Sequence, residues 1–207
     1  MVVNMKEEIY PNAPIVLMVA EIKHVEHKPL DEKQSRIIYE AVKEMLPIGD
    51  DGEEPRLTFS AASDGSLSEP QFVQIKVRRY SSRDKRTVVT ISPDAISVET
   101  TQYHRYEDVR QLLKQTLTAL VDAVALEGVT RIGLRYIDEI RVPSDNDSGM
   151  PKWSEWVDES LVGPRDVGIR QGLLPTESEG TLAFSSGDAT RLVLRYGVQN
   201  SNVIEST

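Results

Sequence analysis

Four arginines stand in two matching stretches, Arg131 and Arg135 in "TRIGLRYIDEI" (130–140), Arg191 and Arg195 in "TRLVLRYGV" (190–198). The planar fork of arginine holds a carboxylate or phosphate through two parallel hydrogen bonds, so four such groups on one sheet face would receive an anion or an acidic partner. Alternation along an extended backbone assigns the faces. Ile132, Leu134, Tyr136, Ile140 and Val142 share one side, predicted to be the core side. Arg131, Arg135, Glu139 and Arg141 share the other with Gly133 and Ile137. In the second stretch Leu192, Leu194, Tyr196 and Val198 face inward while Arg191 and Arg195 face water. The plainer reading pairs these arginines across strands with Glu139, Glu21 or Glu99, each pair contributing roughly 0.2–1 kcal/mol. It is favoured because nothing in the sequence sets the two arginine strands side by side.

Asp138 falls by parity between Tyr136 and Ile140, where a carboxylate without partners is costly. It is expected to pair with an arginine, cap a turn or mark a bulge. No His, Lys or second acid is tied to it by spacing, so a catalytic role is not predicted. His24 and His27 in "HVEH" have opposite strand parity and are expected to be exposed, pointing apart, with no third metal ligand. Trp153 and Trp156 lie at i and i+3 of an expected helix, with Val157 beside them. They either anchor that helix to the sheet or, if exposed, form a docking patch, since Trp is enriched at binding hot spots. "SSGDAT" (185–190) and "SDGS" (63–66) read as turns, and no G-x-S-x-G, Walker, dinucleotide or H-E-x-x-H motif occurs. No catalytic residue, cofactor or metal is predicted.

Bulk properties narrow the partners. The formal net charge is −9, which disfavours long-range attraction to phosphate backbones, so nucleic-acid binding is not expected. The longest apolar run, "APIVLMVA" (13–20), is far short of the ~20 residues a membrane span needs. "MVVNMKEEIY" lacks the order of a secretory signal, and the absence of cysteine fits a reducing compartment; both point to the cytoplasm. With 207 residues, 39% hydrophobic and 28% charged, the chain has the composition of a globular protein able to bury a sizeable core.

The elements that must position these residues follow from periodicity. Residues 14–25 read as a strand, apolar on both parities at first and alternating from Ala20. Asp31 and Gln34 form a capping box before a helix over 32–46, striped by Ile37, Ile38, Ala41, Val42, Met45 and Leu46. "GDDGEEP" (49–55) reads as an acidic solvated loop, and 60–70 as another loop rich in turn residues. Strands over 71–80, 86–92 and 95–103, joined by short turns, form an antiparallel meander. A second helix over 106–126 buries Val109, Leu112, Leu113, Thr116, Leu120, Val121 and Val124, with Gly128 as its C-terminal cap. The strand 130–142 follows, then a helix over 151–161 with Pro151 at its first position. Residues 166–174, 181–186 and 190–198 are the remaining strand candidates.

The Thr-Arg-x-x-Leu-Arg-Tyr echo does not define the repeat, because at its spacing of sixty a helix would fall on a loop. An offset of 118 works better: "EIK" (21–23) meets "EIR" (139–141), and each half opens strand, helix, strands. The expected fold is therefore α+β, a curved antiparallel sheet with long helices on one face. Two β-α-β-β-β-α units are expected, residues 1–129 complete and 130–207 truncated, packed as one body. The second copy lacks its long helix, so the sequence reads as a fragment of a longer chain. In outline this is similar to duplicated helix-grip folds of the TATA-binding-protein type, an analogy that carries no function.

"YPNAPIVLMVAEI" (10–22), "YHRYEDV" (103–109) and above all "RIGLRYIDEIRVP" (131–143) resemble a sporadically distributed, uncharacterised family of bacterial and archaeal proteins. Its hallmark is an R-x-G-L-R-Y-[IV]-[ND] strand after a long helix. The resemblance covers most of the chain, and family members continue further at the C-terminus with another strand and helix. It implies no activity; the family's patchy occurrence implies a defence or toxin–antitoxin-like context. The expected function is a non-enzymatic cytoplasmic binding or regulatory module. It would engage a protein partner, or itself, through Trp153 and Trp156 or through an unpaired sheet edge. Two alternatives stand beside it. One is a small-ligand or hydrolytic pocket lined by Tyr136 and Tyr196 with Arg135 or Asp138 as anchors; the other is a sensor of a small anion or nucleotide on the arginine face.

Overall fold

The computed structural model describes residues 13–58, 70–143, 153–162, 177–187 and 189–199. Two compact units divide the chain, Met1–Glu139 and Ile140–Thr207. The strand at 130, expected to open the second repeat, groups with the first unit.

The first unit is α+β. Its strands are β1 (Ile15–His24), β2 (Ile48–Thr58), β3 (Gln71–Ser81), β4 (Thr87–Ser92), β5 (Ala95–Thr100) and β6 (Val129–Asp138). They form one sheet in the order β2-β3-β4-β5-β1-β6, with every neighbouring pair antiparallel. The meander is as expected, because short turns can join only antiparallel neighbours. β3 reaches beyond β4, pairing with it only from Arg78 to Ser81 while pairing with β2 along its whole length.

Helix α1 (Glu32–Val42) starts at the expected capping box: the Asp31 carboxylate accepts from the Gln34 N–H at 2.8 Å, and the Gln34 side chain accepts from the Asp31 N–H. It stops four residues before the expected end. The buried stripe is Ile38, Val42 and Leu46, at i, i+4 and i+8, while Ile37 and Met45 are exposed. Helix α2 (Tyr106–Ala123) buries Val109, Leu112, Leu113, Thr116, Ala119 and Leu120. Val121 is exposed, contrary to expectation, and Gly128 is not the cap; Val124 holds that place. Gly128 instead adopts φ +158°, in the region that favours glycine, and its carbonyl accepts from the Val25 N–H. Two side chains tie the helices together, Gln115 donating to the Ala41 carbonyl and Gln34 to that of Ala123.

The core joins both helices to one sheet face. Met18, Ala20 and Ile22 of β1, Val89 and Ile91 of β4, and Ile96 and Val98 of β5 lie in one cluster with the helix stripes. Tyr80 is its largest fully buried member. Its hydroxyl donates to the Ser35 carbonyl of α1 at 2.7 Å, and its ring stacks on Tyr39.

The acidic segment 49–55, expected to be a loop, is most of strand β2. Its carboxylates reach arginines of β3: Asp51 meets Arg78, its register partner, at 2.8 Å, and Glu54, which lies opposite Ile75, meets Arg79 at 2.8 Å. Arg79 reaches Glu54 across Gly52, where an added Cβ would sit 2.2 Å from the guanidinium. Because β2 is an edge, Pro55 costs no inner ladder bond, and the charges blunt the edge.

In the second unit, the helix expected over 151–161 is broken. A single 3-10 turn (Trp153–Glu155) precedes a four-residue helix, α3 (Glu159–Val162), whose start is capped by the Asp158 carboxylate accepting from the Ser160 N–H. Strands β7 (Glu177–Ser185) and β8 (Arg191–Gln199) pair as a two-stranded antiparallel sheet. The strand expected over 166–174 and the loop residues 60–69 lie outside the described residues.

Candidate functional site

Strand β6 is the candidate site. It lies at one end of the sheet, hydrogen-bonded to β1 on one side and to no strand on the other among the described residues. In register, Ile132 opposes Ile22, Leu134 opposes Ala20 and Tyr136 opposes Met18, so all three share the face on which the helices pack. The predicted alternation is correct and the predicted burial is not. Ile132 is 69% exposed, Leu134 48% and Tyr136 40%, while their three partners are buried. The helices cover β1 and leave the helix-side face of β6 largely bare. Val129 is exposed on the same strand. Tyr103 meets Tyr136 edge-on at 5.6 Å. Burial of its hydroxyl, with that of Tyr103 beside it, pushes Tyr136 up to about 12.

On the opposite face, Arg131 pairs with Glu21, one of the three acids expected for it. Arg135 opposes Val19 and is exposed. Asp138 ends β6 opposite Ile15, next to a register shift between Ile15 and Leu17. The bulge expected there thus lies on β1, and Asp138 is exposed rather than set among apolar neighbours. Ile140 and Val142 lie beyond the strand and do not extend its apolar face.

Arg191 and Arg195 lie on the other sheet, exposed on β8 opposite Ser185 and Thr181. The four arginines are therefore divided between two sheets. Tyr136 and Tyr196 likewise belong to different units, and alternation puts Arg135 and Asp138 on opposite faces of β6. Trp153 is half-buried and Trp156 is exposed, joined by the Trp156 N–H donating to the Trp153 carbonyl at 2.9 Å. Their helical spacing is lost, since a 3-10 turn replaces the expected α-helix.

The sequence reading missed a polar cluster where β1 ends. The histidines expected to be exposed and divergent stack with ring centroids 5.2 Å apart, and His24 is buried. Strand β1 ends at His24, so parity no longer governs His27. Each ring gives its Nδ1–H to a backbone carbonyl, that of Val25 for His24 and that of Lys28 for His27. Both Nε2 atoms, with Nε of Arg78, are buried without a hydrogen-bond partner. The "HVEH" stretch and a strand ending in "RRY" were the sequence signals.

Among the described residues, no group of three or more His, Asp or Glu side chains could hold a metal ion, and no helix is long and apolar enough to cross a membrane. Comparison with known proteins finds no matching family model, curated protein or solved structure.

Proposed function

We propose that this chain is a non-enzymatic binding module whose β6 edge takes up an extended segment of a partner protein. One observation carries the reading: a strand that has no outer neighbour among the described residues shows Ile132, Leu134 and Tyr136 to solvent on the face where the next strand is buried. An added strand would gain main-chain hydrogen bonds along β6 and extend the core over these three side chains. Arg131 and Arg135 on the other face favour a partner strand that alternates apolar with acidic residues. The expected duplication supports the same surface. Met18 lies opposite Tyr136, the residue 118 places later, as a local two-fold axis between repeated units requires. On that reading, β6 is the counterpart of β1 and would accept on its outer side what β5 supplies to β1. The family resemblance adds a context, a defence or toxin–antitoxin-like system in which one protein restrains another.

The test uses the full chain beside an Ile132→Lys/Leu134→Lys variant. Both serve as bait in lysate of the source organism, and the purified chains are compared by light scattering. The wild-type chain should hold a partner, or a second copy, that the variant releases. A monomeric wild-type chain capturing nothing that the variant does not also capture would overturn the reading.

A further inference from the structure

The β7–β8 ribbon of the second unit sorts its residues by face. Register sets Leu182 opposite Leu194, Phe184 opposite Leu192 and Gly180 opposite Tyr196, so these six share one side. Four of them stay open to water: Leu192 is 62% exposed, Phe184 53%, Leu182 42% and Leu194 37%. None of the six is charged. The other face mixes Ala183 and Val193 with Glu177, Glu179, Arg191 and Arg195. A two-stranded ribbon is marginal in water unless such an apolar face packs against something.

Two properties of this face suit a second copy of itself. The first is charge. The chain carries −9, yet the apolar face has no charged group, and the two glutamates and two arginines behind it cancel. Two copies therefore meet here without like-charge repulsion. The second is shape. The Tyr196 ring lies across Gly180, where an added Cβ would sit 2.3 Å from it, and Tyr196 is half-buried. That end of the face is low, whereas Phe184 and Leu192 make the other end prominent. When the strands of two ribbons run in opposite senses, the prominent end of each copy meets the low end of the other.

We infer that two copies of this chain associate by packing their β7–β8 apolar faces together, strands reversed, about a two-fold axis near Leu182 and Leu194. This is an isologous contact of the commonest symmetry, with side chains interdigitating as between the layers of a sandwich. Four large side chains about half exposed offer roughly 400 Å² per copy, half the ~800 Å² of a standard stable interface, so the dimer is reversible and concentration-dependent. The inference is independent of the β6 reading, which concerns the other unit.

Sedimentation equilibrium of the full chain, from micromolar to near-millimolar concentration, tests it. The average mass should rise toward twice the monomer value. A Phe184→Glu/Leu192→Glu variant should move the midpoint of that rise upward by at least about tenfold, while Ile132→Lys/Leu134→Lys should leave it in place. A second measurement does not require the ribbon to tolerate two charges. The chain has no cysteine, so Leu194→Cys and Thr181→Cys each carry a single thiol, one on each face of the ribbon. A short bis-maleimide should join Leu194→Cys chains into covalent dimers and leave Thr181→Cys chains as monomers. A wild-type chain that stays monomeric throughout overturns the inference. So does a dimer dissociated by the β6 variant and not by the ribbon variant, or equal cross-linking of the two cysteine variants.

Discussion

Met18 and Ile132 lie on adjacent strands and face the same way, so replacing each by alanine separates the covered part of the sheet from the bare part. Met18 is fully buried in the core cluster, and its truncation should cost about 2–5 kcal/mol, transfer and cavity terms together. Ile132 is 69% exposed, so about a third of its side chain is buried. A third of the roughly 1.5–3 kcal/mol for full burial leaves about 0.5–1 kcal/mol. Urea unfolding followed by far-ultraviolet circular dichroism reads the contrast. With a slope of about 2 kcal/mol/M, Met18→Ala should lower the midpoint by about 1–2.5 M and Ile132→Ala by under about 0.5 M. Equal shifts would refute the reasoning, because they would mean that Ile132 is covered in solution.

Two more predictions concern buried polar contacts. Asp94, in the β4–β5 turn, accepts from Arg56 at 2.5 Å and from Ser92 at 3.0 Å. Burial pushes its carboxyl up, but the bonds from Arg56 and Ser92 and the Arg56 charge outweigh that and hold it below the usual range. A depressed folded value means that the contribution is present above the unfolded pKa of about 3.9 and is lost as pH falls through the lower folded value. Asp94→Asn should therefore lower stability near neutral pH by roughly 1 kcal/mol and flatten the acid limb below pH ~4, measured as melting temperature against pH. Tyr80→Phe removes only the hydroxyl that reaches Ser35. It should cost about 0.5–1.5 kcal/mol in urea unfolding, and a loss near that of a core truncation would show that the ring shifts too.

Much of the first unit is legible because its elements carry local signals. Asp31 and Gln34 announce α1, and the stripe through Leu112, Leu113, Thr116 and Leu120 announces α2. Short turns dictate the β3-β4-β5 meander. Strand β2 escapes because its residues are chosen for partners rather than for burial: Asp51 and Glu54 read as loop until Arg78 and Arg79 of the neighbouring strand come within reach. Alternation gives the faces of β6 correctly, yet it is silent on whether anything covers a face, since that depends on elements distant in sequence. His24 and His27 mislead for a related reason, as parity ends where the strand ends. The helix expected at Trp153 fails because an i, i+3 pair is satisfied by one 3-10 turn as well as by an α-helix.

The short overlap of β3 with β4 divides a continuous strand into two thermodynamic parts. From Arg78 to Ser81 the backbone is laddered on both sides and roofed by α1, so its amides should open only with the whole unit. From Gln71 to Val77 a single neighbour among the described residues holds it, and a two-stranded ribbon is marginal by itself. Hydrogen exchange along this one strand should therefore change steeply near Arg78, and the outer ribbon can peel away and re-zip while the remaining sheet stays closed.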